Sequence, residues 1–581
     1  MTDIEFNDQF KLPIYYNDEK VVINSNIVND LELIKSIDIS CNPIYSFLFD
    51  SSNEIKETFS PFRDKITEQF SEYYTTDKQF LKETQNILTT YSPLAEEYKL
   101  NNIVDIWNEV KKDNGFKDKY FYVDWKQWEF LNKSEQFLQI SSIYNMASPI
   151  FSLFLPIIIL IIPFFIIRLK GLNLTMVEYI DVLKIVISHH AIGKLFTNFN
   201  NSTLNQKVYL LLSAAFYVFS IYQNILSCIR FNSNMKKIHT HFIQINQYLE
   251  HTIASMNNFL KYSNELSTYH KFNNILYQKI QILNDFKTKI SSITEYKLSF
   301  TKVFEVGNVL KCFYEFYENK SYEEAFLYSF GFNGYIDCIK GLQFNINERK
   351  INIAQFTTEK KKNCFKNNYY GPLKNDNPVK NNIKFNKNII ITGANASGKT
   401  TILKSTIINI ILTQQFGFGF YDSAILSPYK YLHCYLNIPD TSGRDSLFQA
   451  EARRCKEIID SIDNDKSHNH FCVFDELYSG TNPDEAVSSA TSFMEYLVKN
   501  KNVSCLLTTH FTKVCKILKK NKDILNFNMK SLDDNNNKIK YTYELQKGIS
   551  RVKGGISVLC DMNYPKEIIQ KALSRLERRQ Q

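Results

Sequence analysis

The stretch Ile389-Ile-Ile-Thr-Gly393-Ala-Asn-Ala-Ser-Gly-Lys-Thr400-Thr401 decides how this chain is read. Its second part has the spacing Gly-x4-Gly-Lys-Thr. Ile389 to Thr392 is a short apolar run of the kind that forms a buried strand, and Thr401 to Leu412 has the length and composition of a helix. A glycine-rich turn between the two presents backbone N–H groups, backed by a helix N-terminus, to phosphate oxygens. Gly393, Ala394, Asn395, Ala396, Ser397, Gly398, Lys399, Thr400 and Thr401 are the predicted nucleotide-binding residues. Lys399 would reach the β- and γ-phosphates of ATP, and the Thr400 hydroxyl would bind Mg2+.

Glycine usage supports that reading. The 581 residues hold only 17 glycines, well below the usual ~7%. Ten of them lie after residue 365. A chain this sparing of glycine uses it where backbone freedom or close approach is needed.

Working outward, three more segments carry chemistry. His470-Phe-Cys-Val-Phe-Asp-Glu476 reads as a buried strand ending in two acids. Asp475 fits a Mg2+-associated acid, and Glu476 fits the group that polarises an attacking water. Val503-Ser-Cys-Leu-Leu-Thr-Thr-His510 reads as another buried strand, from whose end His510 could sense a γ-phosphate. In Asp440-Thr-Ser-Gly-Arg-Asp-Ser-Leu-Phe-Gln-Ala-Glu451, Ser446 at a helix start could offer its hydroxyl and N–H to a phosphate. By itself that last pattern is no stronger than a helix cap.

Together, the four segments and their order resemble the MutS family of ATPases. The loop preceded by Ile-Ile-Ile-Thr is similar to that family's, as are Asp475-Glu476-Leu-Tyr-Ser-Gly-Thr481 and Thr508-Thr-His510-Phe. Ser446-x-Phe448-x-x-Glu451 looks like its signature segment. Upstream, Gly334-Tyr-Ile-Asp337 to Leu342, Tyr370-Gly-Pro-Leu373 and Pro378 to Ile383 extend the likeness, and downstream so do Tyr543 to Gly548, Gly555-Ile-Ser-Val-Leu and Pro565 to Ala572. The transporter signature Leu-Ser-Gly-Gly-Gln is absent. The resemblance implies an α/β P-loop NTPase domain of the ABC-type ATPase class at the C-terminus. It also implies a dimer, most simply a homodimer, in which each ATP and Mg2+ is held by residues 393–401 of one subunit. Ser446 would then approach the γ-phosphate of the partner's nucleotide. Lys399, Glu476 and His510 would serve catalysis, with Thr400 and Asp475 as metal ligands.

The rest of the chain departs from the repair proteins of that family. The N-terminal ~135 residues hold no convincing counterpart of a mismatch-reading domain with its Phe-x-Glu wedge, and are too few for that domain and a connector. From Gln136 to Ile167 there is no charged residue, and a second charge gap runs from Val208 to Ile229. About 20 apolar residues cross a bilayer, so stretches near 148–167 and 208–229 look like a transmembrane hairpin. The alternative is a pair of buried core helices, with Pro156 and Pro163 fitting poorly in a soluble helix interior. A membrane-bearing MutS-like branch has a similar hairpin. The expected organisation is a helical region over 1–135, the hairpin over 136–230, a helical lever region over 231–356 and the ATPase domain over 357–581. Phe242, Ile245, Leu249, Ile253 and Met256 mark one helical face of the lever region. A hairpin of strands within about 357–387 would lead into the ATPase domain.

Apolar residues at 44% and charged residues at 22% exclude wholesale disorder. The net charge of +9 permits contact with nucleic acid or anionic lipid and demands neither. The 11 scattered cysteines, without a Cys-x-x-Cys pair, read as reduced intracellular thiols and not as a metal site. Met1 to Leu12 lacks an apolar core, so no secretory signal is expected. The expected function is an ATPase that moves helical arms on double-stranded DNA, in mismatch repair or recombination. The alternative is a membrane-anchored mechanical ATPase acting on a protein or lipid, intracellular, with its ATPase domain in the cytosol.

Overall fold

The computed structural model describes residues 4–38, 41–51, 59–94, 101–171, 175–189, 203–297, 300–436, 446–533, 539–550, 559, 562 and 564–578. Residues 440–445 ahead of Ser446, and Gly554 and Gly555, lie outside the described residues. The chain forms two compact units. One comprises Leu100–Ile253 and Gln281–Phe326; the other comprises Met1–Lys99, Ala254–Ile280 and Leu327–Gln581. The units cut across the organisation read from the sequence, because the first 99 residues fold with the C-terminal half.

The first unit is helical. Its helix Glu135–Leu169 starts at Ser134, whose hydroxyl accepts from Phe137 N at 3.3 Å, and runs on through Pro149, Pro156 and Pro163. The helix Phe300–Glu318 packs against its first turns at Gly307. A Cβ there would meet Glu135 O at 2.5 Å, so only glycine permits the approach. Gln139 seals the contact, accepting from Gly307 N at 2.8 Å and donating to Val303 O at 2.7 Å.

The helix Leu204–Ser263 is 60 residues long, and its stretch to Ile253 belongs to this unit. Its lower part buries Phe242, Ile245, Leu249 and Ile253, the face that the three- and four-residue spacing marks out. Its upper part lies beside Glu135–Leu169, with Tyr217 Oη donating to Ser152 O at 2.9 Å. Phe216, Val218, Phe219 and Tyr222 there are exposed, as are Ile150, Phe151 and Phe154 on the neighbouring helix. Among the described residues, one helix, Lys207–Ser263, is long and apolar enough to cross a membrane, and its apolar window is not buried.

The second unit is built on a six-stranded sheet. Its order is Ile539–Lys547, Ile524–Asp533, Asn388–Thr392, Val503–Thr509, His470–Asp475, Tyr431–Tyr435. All pairs are parallel except the hairpin of the first two. Every residue of Asn388–Thr392 and Val503–Thr509 is buried, as continuous apolar runs in a parallel sheet require. A five-stranded sheet lies alongside in the sequence, and its pair Cys364–Asn368 and Asn381–Lys384 is the antiparallel hairpin expected before the ATPase domain.

The helix that follows the glycine-rich loop, Lys399–Phe416, buries 15 of its 18 residues. Such a helix needs cover on all sides, and the N-terminal region supplies one of them. Phe49 and Phe70 pack on Phe416, and Tyr45 Oη donates to Gln415 Oε1 at 2.9 Å. Gln414 Nε2 donates to Thr75 O, Gln85 Nε2 donates to Gly417 O, and Lys404 pairs with Glu32 at 3.0 Å. Within the region 1–135 expected to be helical, the stretch Asp64 to Leu88, whose composition suits one helix, is interrupted. The strand Tyr73–Thr75 pairs antiparallel with Lys20–Val22 between the helices Arg63–Gln69 and Lys78–Thr90. The β-favouring Tyr-Tyr-Thr run and the Asp77 cap, which accepts from Gln79 N and Phe80 N, account for the break. No disulfide joins any of the ten cysteines among the described residues.

Candidate functional site

The sheet order explains how residues far apart in sequence meet. Val503–Thr509 lies between the strand that feeds the glycine-rich loop and the strand that ends at Asp475. In register, Asp475 stands opposite Thr508, and Thr508 opposite Ile391. The loop, both acids and His510 therefore gather at the carboxyl ends of parallel strands, where open α/β sheets bind ligands.

The loop itself is held in a tight, partly left-handed path. Ala396 has φ 61° and Gly398 φ 92°. A Cβ on Gly398 would press on Tyr543 Cδ1 at 3.1 Å in a conformation that L side chains resist. Lys399 begins the helix and is 6% exposed, its ammonium donating to Gly393 O and Ala394 O at 3.1 Å each. The same ammonium lies 3.5 Å from Glu476 Oε1. Thr400 Oγ1 donates to Asp475 Oδ2 at 2.7 Å, and Thr508 Oγ1 bonds the other carboxylate oxygen. Ser397 Oγ is buried without a hydrogen-bond partner.

Glu476 sits in the left-handed region at φ 53°, fixed by its N–H donating to Thr508 O at 3.0 Å. His510 Nδ1 is 3.3 Å from Glu476 Oε2. Hydrogen bonding to His510, with the Lys399 charge adding to it, holds the Glu476 carboxyl below the usual carboxylate range, against the opposing effect of burial. Between these groups opens a cleft of about 590 Å3, lined among others by Asn395, Ala396, Thr401, Tyr435, Leu447 and Tyr543. That is within the size range of small-molecule sites.

Ser446 caps the helix Leu447–Asn464. Its hydroxyl accepts from Gln449 N at 3.3 Å, while its own N–H donates to Gln449 Oε1 at 2.9 Å. This capping box is what the sequence offers as the plain account of Ser446. No contact joins it to Lys399, Asp475 or Glu476 among the described hydrogen bonds and ion pairs. The helix does reach the site through Glu451, which is 2% exposed. Its carboxylate accepts from Ser479 N at 3.1 Å, Ser479 Oγ at 3.0 Å and Gly480 N at 3.3 Å. It thereby holds the loop that follows Glu476. A Cβ on Gly480 would meet Leu447 Cγ at 2.8 Å, which keeps the two segments close.

Three contributors carried no role in the sequence reading. Thr508 and Glu451 belong to the motifs Thr508-Thr-His510-Phe and Ser446-x-Phe448-x-x-Glu451, which assign neither of them a role. Tyr543 had no signal in spacing. It lies where the register between Met529 and Ser531 shifts against its strand, at φ 59°, with its carbonyl accepting from Asn381 Nδ2 at 3.0 Å. The irregularity aims its ring at Gly398.

The donor set suits Mg2+ with a nucleoside triphosphate. Thr400 and Asp475 supply hard oxygens, Lys399 supplies a cation, and the orphaned Ser397 hydroxyl awaits a polar partner. The arrangement thus defines a class of site, a hard-oxygen and lysine cleft on a glycine-rich loop at the end of a parallel sheet. Residues 389–579 match the family model described as MutS domain V. The chain is 30% identical over 202 residues to the DNA mismatch repair protein MutS of Prochlorococcus marinus (strain AS9601), covering 34% of this chain and 22% of that protein. It is 27% identical over 213 residues to MutS of Persephonella marina, covering 36% and 24%. It is 26% identical over 200 residues to the DNA mismatch repair protein Msh3 of Dictyostelium discoideum, covering 32% and 14%. The chain spans less than a quarter of the length of these relatives.

Proposed function

We propose that the chain is an ATPase that binds ATP with Mg2+ at the cleft, hydrolyses it, and works as a dimer whose second subunit completes each site. The observation that carries this reading is the double role of the two strand-end acids. Asp475 bonds both Thr400 and Thr508, while Glu476 faces both Lys399 and His510. One acid is thus tied to the hydroxyl that would bind the metal, and the other, between a lysine and a histidine, would face the attacking water.

Residues 393–401 would hold the phosphates, with Lys399 moving from the carbonyls of Gly393 and Ala394 to phosphate oxygens. Thr400 and Asp475 would hold Mg2+, which neutralises charge on the β- and γ-phosphates. Glu476, held as a carboxylate, would accept a proton from the attacking water, and His510 would orient Glu476 and report on the γ-phosphate. Tyr543 would form an aromatic wall of the cleft. Ser446, freed from its local cap, would meet the partner's nucleotide. Turnover would move the helices joined to the ATPase domain, most simply on DNA, which the names of the MutS and Msh3 relatives point to.

A second reading keeps the ATPase and replaces DNA by a protein or lipid partner at a membrane. The exposed apolar faces of Glu135–Leu169 and Leu204–Ser263 favour it, spanning a bilayer at about 148–167 and 208–229 with the ATPase domain in the cytosol. Purified full-length protein separates the two. Glu476→Gln should lose roughly 100-fold or more in turnover while retaining ATP binding; unchanged turnover would remove Glu476 from the chemistry. DNA-stimulated turnover that fades as salt rises supports the first reading. Full turnover without DNA binding at low salt supports the second.

A further inference from the structure

Two of the three tryptophans stand just before the first apolar helix. Trp107 is buried, whereas Trp125 and Trp128 are 76% and 51% exposed, with Phe130 beside them at 61%. The loop that carries them is ordered. Asn132 pins it at the base, accepting from Val123 N at 2.9 Å and donating to Val123 O at 2.8 Å. Trp128 N donates to Trp125 O at 2.9 Å, and the Trp128 and Phe130 rings stack at 6.3 Å. Lys117 gathers both acids of the loop, Asp124 at 2.9 Å and Glu129 at 2.7 Å, while Lys126 stays exposed between the tryptophans. What the loop shows to solvent is therefore three aromatic rings and Lys126, with Gln127 and the paired Asp124 carboxylate beside them.

Its place in the chain says what would cover it. The charge-free stretch begins three residues after Lys133, at Gln136, and lasts 32 residues, 136 through 167. At 1.5 Å per residue this is about 48 Å of helix. The hydrocarbon core needs only ~30 Å, and core plus headgroup layers about 40–45 Å. With the whole charge-free length 136–167, and not only 148–167, taken as crossing the bilayer, the helix starts at the outer edge of the headgroups, where the loop stands. Indole rings favour that layer, and lysine favours the anionic leaflet surface.

We propose that Trp125, Trp128, Phe130 and Lys126 form an anchor that rests in the headgroup layer of an anionic bilayer and fixes how deeply the apolar helices sit. The proposal rests on the membrane reading of those helices. The test uses full-length protein in vesicles of phosphatidylcholine and phosphatidylserine, some with acyl chains brominated near the glycerol end. Flotation reports insertion, and quenching of tryptophan fluorescence reports the anchor.

The expected result is flotation with strong quenching, most of which is lost in Trp125→Phe/Trp128→Phe, since the remaining Trp107 is buried. Flotation of both proteins with equal quenching overturns the anchor and leaves the apolar helices in the membrane. Iodide in the aqueous phase quenching the floated wild type as fully as the detergent-solubilised protein also overturns it, and points to a surface awaiting a protein. A wild-type chain that fails to float overturns the membrane reading and the anchor with it. Equal ATP turnover of the variant and wild type checks that the substitutions leave the fold intact.

Discussion

Glu451 is the residue whose removal should be felt furthest from its own position. Without its carboxylate, Ser479 N, Ser479 Oγ and Gly480 N lose their acceptor, at a cost of ~1–3 kcal/mol for groups left unpaired. The loop held there leads directly from Glu476. Glu451→Ala is expected to lower kcat by about 10- to 100-fold with little change in ATP affinity, and Glu451→Gln, which keeps one acceptor oxygen, to recover part of it. Equal kcat in all three would show that the clamp is structural only. His510 gives a pH signature. The native Glu476 carboxyl titrates below its ordinary value of 4.5, chiefly because His510 bonds it. Its carboxylate form thus persists on the acid side until pH falls below that value. His510→Ala should let the value rise, so the acid limb of the kcat profile moves to higher pH. Steady-state ATPase rates across pH check the position of the limb, whatever the drop in amplitude.

Among the elements, the helix Lys399–Phe416 shows best how the site is held from behind. Its loop end faces the cleft, and its far end is gripped by Tyr45, Gln85, Phe49 and Phe70. Tyr45→Phe leaves the ring in place and removes a buried hydroxyl that bonds both Gln415 Oε1 and Phe70 O. A loss of ~0.5–1.5 kcal/mol in denaturant midpoint stability is expected; no loss would mean that solvent already reaches this contact. None of this grip was legible in the sequence. The strands and the loop were, because continuous apolar runs and a fixed glycine–lysine spacing are local signals. Thr508 came within reach only because it lies in a strand-end motif. Tyr543 and the Tyr45–Gln415 bond depend on partners hundreds of residues away or on a sheet irregularity, and no local pattern encodes either. The Asp64–Leu88 break was hidden for a related reason: Tyr73–Thr75 is too short to outweigh its helical flanks until Lys20–Val22 pairs with it.

At the scale of the molecule, the second unit is discontinuous. Its N-terminal part buries Phe6, Phe10, Tyr45 and Phe49, and the partners that cover them include residues beyond 325, such as Tyr328 and Phe416. A fragment of residues 1–94 is therefore expected to remain unfolded, read as the absence of dispersed amide signals in its NMR spectrum; a folded fragment would show that its core is self-sufficient. The same discontinuity sets a clock during synthesis. Tyr45 and Gln415 are 370 residues apart. At ~5–20 residues per second, the ribosome takes on the order of 20–70 seconds to supply the second after the first. Through that interval the newborn N-terminal region carries its aromatic side chains without their cover, while the helices of the other unit are already emerging. Yield of this protein in a cell should then depend on holdase chaperones and on translation speed upstream of residue 415, far more than on the intrinsic stability of the finished ATPase sheet.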